Sequence, residues 1–274
     1  MKFSLVLSIL TLYLYCSTYS CSTALGEASQ PTDWTIDGQK RQALIIPPSK
    51  TSVSPAPVIF VFHGHGGSMH IMERRGFQKL WPEAIVVCPQ GLPTASMYDP
   101  QGKFPGWQQT IGGNGDRDVK FVDAILKTLH EKYKADDSRI FATGHSNGAS
   151  FTYLLWGARG KQLAALAPVA GGAFAIRTAR DLKPLPIIHI SGENDPIVRF
   201  DNQMRIMGEI RRRNGCNAEG KPWAKSGDLV GTIYSSDKGA PFVAVIHPGD
   251  HAYPEAAPAL IVRFFKESTK PSGP

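Results

Sequence analysis

Short apolar runs alternate with amphipathic stretches through most of the chain. The run at residues 58–62 is continuously apolar and stops at His63-Gly64, which is typical of a strand buried on both faces of a parallel sheet. Similar runs, each closed by Gly, Pro or polar residues, recur along the sequence. The predicted strands are residues 43–46, 58–62, 85–88, 140–143, 166–170, 185–190 and 242–246.

Amphipathic stretches separate these runs. In the clearest one, residues 118–133, Val119, Val122, Leu126 and Leu129 recur at three- and four-residue spacing, and Asp118 is predicted to be the N-cap. Alternating strands and helices predict an α/β fold with a mostly parallel central sheet covered on both faces. The predicted helices are residues 118–133, 149–156, 203–213 and 257–265.

The N-terminal residues differ from the rest of the chain. Met1-Lys2 precedes an apolar run over residues 3–15, and Ser22-Thr23-Ala24 provides small residues for cleavage, so residues 1–24 are predicted to be a secretory signal peptide. A membrane anchor and lipidation at Cys16 or Cys21 are the alternatives. We expect residues 25–40 to be an N-terminal extension and residues 41–270 to form one catalytic domain. The protein is expected to be secreted, either extracellular or periplasmic. We expect no stable membrane insertion after the signal is removed.

Charge and cysteine content exclude several classes of protein. The net charge is +7, but the run Arg211-Arg212-Arg213 lies in a predicted helix, and no aromatic-rich basic module indicates nucleic-acid binding. A weak anionic partner, such as an acidic polysaccharide, remains compatible with this charge. Without the signal only Cys88 and Cys216 remain, so we predict neither a disulfide framework nor a zinc site.

One pentapeptide has the pattern of a serine nucleophile. Gly144-His145-Ser146-Asn147-Gly148 follows a predicted strand and precedes a predicted helix, and fits Gly-x-Ser-x-Gly. The sharp strand-to-helix turn strains the backbone at Ser146, and side chains at positions 144 and 148 would collide. Ser146 is therefore the predicted nucleophile, and the amide of Asn147 a predicted oxyanion donor.

A serine nucleophile needs a base and an orienting acid later in the chain. His251 lies in the loop after the last strand and is preferred to His247, whereas His189 is expected to be a core histidine. The acid is predicted to be Asp195, after the 185–190 strand. Glu193 and Asp201 are the alternatives for the acid, and Asp250 is expected to serve the turn beside His251.

The Gly-rich segment His63-Gly64-His65-Gly66-Gly67 follows the 58–62 strand. Glycines allow backbone amides to approach a bound carbonyl closely, so the amide of His65 is predicted to be the second oxyanion donor. A flexible turn is the alternative. Two histidines without a third ligand do not favour a metal, and the predicted chemistry needs no cofactor.

Several segments together resemble a family of secreted esterases that includes feruloyl esterases and polyhydroxybutyrate depolymerase-like proteins. They cover most of the chain after residue 55. The version Ser146-Asn147-Gly148, with Asp136-x-x-Arg139 upstream and His251-x-Tyr-Pro downstream, is more specific than the general hydrolase pattern. The matching segments are 62–67, 89–91, 118–119, 137–148, 192–196 and 251–254.

The resemblance implies an α/β-hydrolase fold without a large lid domain and a triad of Ser146, Asp195 and His251. It also implies that the 105–107 region lines the acyl site, with Trp107 a candidate substrate contact; packing of Trp107 against the sheet edge is the alternative. His145 is a further candidate substrate contact. Many relatives pair the cysteine matching Cys216, but Ser235-Ser236 occupy the partner region here.

Two further departures concern the final histidine. Gly249-Asp250 and Tyr253 stand where the family has a run of glycines and a tryptophan. The expected reaction is hydrolysis of carboxylic esters through an acyl-enzyme. The expected substrates are feruloyl or acetyl esters of polysaccharide fragments, or short polyhydroxyalkanoate oligomers. A serine peptidase of the oligopeptidase type and a non-catalytic hydrolase-like binding protein are the alternatives.

Overall fold

A ten-stranded sheet forms the centre of the molecule. The computed structural model describes residues 31–50, 55–177 and 182–268. The sheet order is β1-β2-β4-β3-β7-β8-β9-β12-β11-β10, with parallel pairing from β4 through β12 and antiparallel pairs at both edges. The strands are β1 (Pro31–Ile36), β2 (Gln39–Ile46), β3 (Ala56–Phe62), β4 (Ile85–Pro89), β5 (Leu92–Pro93), β6 (Pro105–Gly106), β7 (Ala135–His145), β8 (Ala165–Val169), β9 (Ile187–Gly192), β10 (Lys221–Ser226), β11 (Leu229–Tyr234) and β12 (Phe242–His247); β5 and β6 pair separately.

Helices cover both faces of the sheet. The helices are α1 (Met69–Glu73), α2 (Phe77–Leu80), α3 (Arg117–Tyr133), α4 (Asn147–Arg159), α5 (Phe200–Arg213) and α6 (Ala257–Glu267). One apolar cluster joins α3, α4 and α5 to the sheet, and a second joins α1, α2 and α6 to the opposite face. In β3, Phe60 and Phe62 belong to the first cluster and Ile59 and Val61 to the second, because successive side chains point to opposite faces. The predicted layered fold is confirmed.

The sheet begins earlier in the chain than predicted. Residues Pro31–Ile36, assigned to an extension, form β1 and pair with β2, and the predicted domain start at residue 41 falls inside β2. The burial of β1 alternates between exposed and half-buried residues, so β1 has no continuous apolar run. The proposed signal peptide lies outside the described residues. Among the helices that the structure describes, none is long and apolar enough to cross a membrane.

The start of α3 also differs from the prediction. Asp118 is not the N-cap, because α3 already begins at Arg117 and follows Asp116. The Asp118 carboxylate is fully buried and accepts bonds from Arg41 Nη2 at 2.8 Å and from the backbone N–H of Gln108 at 2.7 Å. It therefore joins β2 to the segment preceding α3 instead of capping the helix.

The two cysteines of the described chain form no disulfide with each other. Cys88 and Cys216 are both free, and Cys88 lies buried in β4. Burial raises the pKa of the Cys88 thiol well above its usual range, so this side chain is a neutral component of the core.

Candidate active site

Ser146 lies at the sharp turn between β7 and α4. Its backbone has φ 54° and ψ −115°, in the left-handed range that non-glycine residues seldom adopt. The Ser146 backbone N–H donates to the carbonyl of Val169 on β8 at 2.9 Å, which fixes the turn against the neighbouring strand. The predicted strained turn is confirmed, and its hydroxyl faces a surface cleft.

The flanking glycines of this turn are required by contact distances. A Cβ at Gly144 would lie 2.5 Å from the carbonyl carbon and oxygen of Gly148. A Cβ at Gly148 would lie 2.5 Å from the carbonyl oxygens of Phe62, the last residue of β3, and of His63, which follows it. These distances are far inside van der Waals contact, so both positions exclude any side chain, as the pentapeptide predicted.

The structure brings the predicted base and acid to Ser146 from two other loops. His251 Nε2 lies 2.8 Å from Ser146 Oγ, and His251 Nδ1 lies 2.8 Å from Asp195 Oδ2. The Asp195 side chain is fully buried, whereas that of His251 is 15% exposed. This is the geometry in which an imidazole can accept the serine proton while a carboxylate fixes its tautomer.

Backbone amides hold the Asp195 carboxylate in place. Asp195 Oδ1 accepts bonds from the N–H groups of Ile197 and Val198, each at 2.9 Å. The alternatives considered for the acid, Glu193 and Asp201, are exposed to solvent, and the partner of His251 Nδ1 is Asp195. Of the three candidates, the structure therefore brings only Asp195 to the imidazole.

The other candidates near His251 have structural partners. His247 Nδ1 accepts a bond from the backbone N–H of Gly249 at 3.1 Å, and burial lowers the pKa of His247. Asp250 Oδ1 accepts a bond from the N–H of Ala252 at 2.8 Å, so Asp250 serves the turn as predicted. Gly192 is needed here as well, because a Cβ would lie 2.4 Å from the Asp250 carbonyl oxygen.

His145 supports the histidine loop instead of lining the cleft. Its Nε2 lies 2.8 Å from the carbonyl oxygen of His251, and the two rings lie 5.1 Å apart. Since a carbonyl only accepts, the imidazole proton of His145 is on Nε2. Burial lowers the pKa of His145 to about 4, so the ring is neutral at pH 7. The predicted substrate contact at His145 is therefore corrected to a contact with the backbone of His251.

Trp107 also lies in a different place from the one predicted. Its side chain is fully buried, its indole N–H donates to the carbonyl of His63 at 2.8 Å, and its ring stacks on Phe151. A residue with no exposed surface cannot contact substrate directly, so this prediction is wrong and the packing alternative holds. Trp107 instead supports the loop that carries His65.

The Asn147 side chain connects the backbone of Trp107 to the turn that carries Ser146. Asn147 Oδ1 accepts the backbone N–H of Trp107 at 2.7 Å, and Asn147 Nδ2 donates to the Trp107 carbonyl at 3.3 Å. Asn147 is the first residue of α4, where a backbone N–H has no acceptor within the helix. The backbone N–H of Asn147 is thus available for a ligand oxygen next to Ser146.

The Gly-rich loop after β3 is fixed by both of its histidines. His63 Nε2 accepts the N–H of Gly91 at 2.9 Å, and burial lowers the pKa of His63 to about 4. His65 Nε2 lies 3.1 Å from Asp99 Oδ2, which ties this loop to the 94–104 segment. A Cβ at Gly106 would lie 2.7 Å from His65 Nδ1, so the glycine makes room for that imidazole. The loop is an ordered wall of the site and not a flexible turn.

A cleft of about 840 Å³ opens over Ser146, and His65 and Asn147 also line it. Apolar side chains form much of its rim, and several are largely exposed to solvent: Met97 at 78%, Tyr98 at 68% and Phe174 at 68%. The Tyr98 hydroxyl donates to the carbonyl of Ile197 at 3.3 Å, closing one side of the rim. Sequence patterns did not indicate these rim residues, because isolated aromatic and Met side chains in loops are common.

The described residues contain no group of three or more His, Cys, Asp or Glu side chains placed to hold a metal ion. The histidines of the 63–67 loop are bound instead to protein groups, as given above. Around Ser146 the structure places the His251 imidazole at hydrogen-bond distance from the hydroxyl and the buried Asp195 carboxylate on the other side of that ring.

Known proteins resemble the chain over most of its length. A probable feruloyl esterase C of Aspergillus flavus is 29% identical over 218 residues, which cover 78% of this chain and 76% of that protein. Feruloyl esterase D of Neurospora crassa is 27% identical over 227 residues, covering 79% and 75%. The predicted resemblance to feruloyl esterases is confirmed. The polyhydroxybutyrate depolymerase part of that resemblance stays a prediction.

The fold is shared with solved esterases. The acetyl xylan esterase from Aspergillus awamori superposes with a TM-score of 0.65 at 15% identity, covering 86% of this chain and 99% of that one. Identity at this level shows the common α/β-hydrolase fold alone, and it confirms the predicted fold class. No protein-family model matches the chain.

Proposed function

We propose that the chain is a serine carboxylic-ester hydrolase. The observation that carries the proposal is the alignment of Ser146 Oγ, His251 and Asp195 through two contacts of 2.8 Å at the floor of an open cleft. Similarity to feruloyl esterases over three quarters of the chain supports an ester as the substrate.

The reaction follows from the donor and acceptor positions. His251 Nε2 accepts the proton of Ser146 Oγ as this oxygen attacks the ester carbonyl, and the buried Asp195 carboxylate stabilises the resulting imidazolium. His251 then protonates the departing alcohol. Water, activated by the same imidazole, attacks the acyl-Ser146 ester and releases the acid.

Two amides are assigned to the oxyanion formed in both steps. The Asn147 N–H is at the first position of α4, where the helix dipole adds to its attraction for negative charge. We assign the second donor to the N–H of His65, on the loop that Trp107 and Asp99 hold against the site. Donors fixed before the reaction stabilise the developing charge without reorganisation.

The rim of the cleft supports an aromatic acyl group. Met97, Tyr98 and Phe174 are exposed apolar side chains that line the same cleft as Ser146, and such clustered exposure is typical of a binding surface. A hydroxycinnamoyl group presents a flat apolar face to such a rim. We therefore propose feruloyl-type esters on soluble carbohydrate fragments as the preferred substrates, and acetyl esters as smaller alternatives.

The proposed setting is outside the cell. This assignment depends on the apolar N-terminal segment of the sequence, which has the order of features of a secretory signal. Mass spectrometry of the N-terminus after expression in a secreting host tests it. A mature protein beginning near residue 25 is expected, and retention of Met1 on the exported protein contradicts signal removal.

Hydrolysis of methyl ferulate and p-nitrophenyl acetate tests the catalytic proposal. Ser146→Ala is expected to abolish both activities and labelling by a fluorophosphonate probe, while the protein stays folded. The control is Ser226→Ala, a partly exposed serine on the edge strand β10, which should retain both. Unchanged ester hydrolysis in Ser146→Ala overturns the proposal. Absence of wild-type hydrolysis and labelling favours a non-catalytic binding protein, and faster cleavage of a matched amide favours a peptidase.

A further inference from the structure

A line of hydrogen-bonded side chains continues from Asp195 into the core, away from Ser146. Asp195 Oδ2, which faces His251, also accepts a bond from Gln203 Nε2 at 3.2 Å. Gln203 Oε1 lies 2.9 Å from His189 Nε2, and His189 Nδ1 lies 2.6 Å from the Tyr153 hydroxyl. The side chains come from α5, β9 and α4, and Gln203, His189 and Tyr153 are all fully buried.

The orientation of the Gln203 amide is determined by its neighbours. Its nitrogen faces two acceptors, Asp195 Oδ2 and the carbonyl of Val198, the latter at 2.6 Å. The opposite orientation would place an amide oxygen against a carboxylate and a carbonyl, where no donor is available. Gln203 therefore donates to Asp195, and its own oxygen is left as an acceptor for His189.

The proton positions on His189 follow from this orientation. Burial lowers the pKa of His189 to about 4, so the ring is neutral at pH 7 and has one N–H. Because Gln203 Oε1 only accepts, that N–H is on Nε2, and Nδ1 must accept from Tyr153. Burial raises the pKa of Tyr153 well above its usual range, which keeps its hydroxyl protonated as the donor.

The three hydrogen bonds therefore share one direction of donation. Tyr153 donates to His189, His189 donates to Gln203, and Gln203 donates to the Asp195 carboxylate. Donors aligned in series polarise one another, and the effect is strongest at the charged end. A core histidine needs no such arrangement merely to satisfy its nitrogens, since one backbone carbonyl can accept its N–H and one backbone N–H can donate to its other nitrogen.

We infer that Gln203, His189 and Tyr153 are positioning residues for the reaction, acting through Asp195 on the orientation of His251. None of them touches the cleft floor at Ser146. Their function is to hold one oxygen of the carboxylate where the imidazole meets it. This inference rests on the proposed ester hydrolysis.

The test combines single and double variants assayed with p-nitrophenyl acetate. Gln203→Leu is expected to lower kcat by about tenfold, the effect of losing one bond to a buried charge, and to leave KM within about twofold. Tyr153→Phe is expected to lower kcat by about threefold. In the double variant, Tyr153→Phe should add nothing, because its only route to Asp195 has been removed.

A matched control separates positioning from general loss of packing. Asn214 is another fully buried amide, and it bonds to the backbone of Leu185 and Ala240 instead of to the triad. Asn214→Leu should lower the melting temperature and leave the kcat of the folded protein unchanged. The His251 Nδ1 proton resonance should move in Gln203→Leu and stay in place in Asn214→Leu.

Failure of the proposed function and failure of this inference give different results. If Ser146→Ala retains the rate, the proposed function fails. If Ser146→Ala is inactive but Gln203→Leu has wild-type kcat, or if the two losses multiply in the double variant, only this inference is overturned. Should Gln203→Leu not fold, Tyr153→Phe decides: unchanged kcat together with an unchanged His251 proton resonance overturns the inference, and a change in both supports it.

Discussion

The Oδ1 atom of Asn147 lies 2.7 Å from the backbone nitrogen of Trp107, so the residue after Ser146 holds the segment that packs against the 63–67 loop. This contact makes the Asn147 side chain a support for the site, separate from its backbone N–H. One side chain therefore helps to hold both the 63–67 loop and the turn that carries Ser146.

Asn147→Ala should lower kcat and leave KM nearly unchanged. The backbone donor remains, but both contacts with Trp107 are lost and the His65 loop is less firmly held. We expect a loss of about tenfold, typical of an imperfectly placed oxyanion donor. Steady-state kinetics with methyl ferulate measure it. Asn217→Ala, which removes an exposed amide bonded to Ser235, is the control; an equal loss in both variants would contradict this assignment.

The glycine at position 148 is expected to be irreplaceable. Alanine there would place its Cβ 2.5 Å from the carbonyl oxygens of Phe62 and His63, and these backbone atoms cannot move aside without disturbing the end of β3. We expect a loss of about 3 kcal/mol or more in the free energy of unfolding. Gly227→Ala provides the comparison, since its φ is +58° but no atom lies within 4 Å of the new Cβ. That variant should lose only about 1 kcal/mol; similar urea midpoints for the two would refute the steric explanation.

Stability should fall as the pH is lowered from about 6.5 toward 4. Burial lowers the pKa of His63, His145 and His189 to about 4 in the folded chain, against 6.5 for a free imidazole. Between these values the unfolded chain binds more protons, so acidification favours unfolding, by up to about 1.4 kcal/mol per pH unit for each group. Urea unfolding at pH 7, 6 and 5 measures the slope.

A variant that removes one of the three buried rings provides the control for that measurement. His63→Asn should have a smaller slope than the wild type, because one group with a lowered pKa is gone. A free energy of unfolding that stays level or rises between pH 7 and pH 5 would show that the buried rings are not the neutral groups described.

Tyr98→Ala should affect an aromatic ester more than a small one. Tyr98 is 68% exposed at the rim of the cleft, and an apolar acyl group would cover part of its ring. We expect KM for methyl ferulate to rise about fivefold, a change of about 1 kcal/mol, with little change for p-nitrophenyl acetate. Val230→Ala removes an exposed apolar side chain on β11, away from the cleft. Equal effects of Tyr98→Ala on both esters would argue against an acyl site at this rim.

Local sequence signals were sufficient for the central strands, and the three residues proposed for catalysis lie in hydrogen-bond contact in series. Ser146, Asp195 and His251 each follow a buried strand, and parallel strands place their carboxyl ends at one edge of the sheet. Strand β10 was missed because an edge strand with exposed residues has no continuous apolar run. Such strands are specified by pairing with a neighbour, which no local pattern records.

The buried residues that support the site could not be identified from the sequence either. Trp107 was expected near substrate because of the family resemblance of the 105–107 region, and only the packing against Phe151 shows that it is buried. His189 was correctly expected in the core. Its connection to Asp195 depends on Gln203, and a glutamine inside an amphipathic helix resembles any solvent-facing polar residue until the fold places it.

The exposed rim has a consequence for how this scaffold can diverge. Met97, Tyr98 and Phe174 come from loops that contribute neither the serine, the acid nor the base, and their side chains are largely free of the core. We expect replacement of these side chains to change which acyl groups the cleft binds. The close glycine contacts of the turn at Ser146 would not be disturbed. New specificities can therefore arise in a few mutational steps, at little cost to folding, while the chemistry beneath is inherited intact.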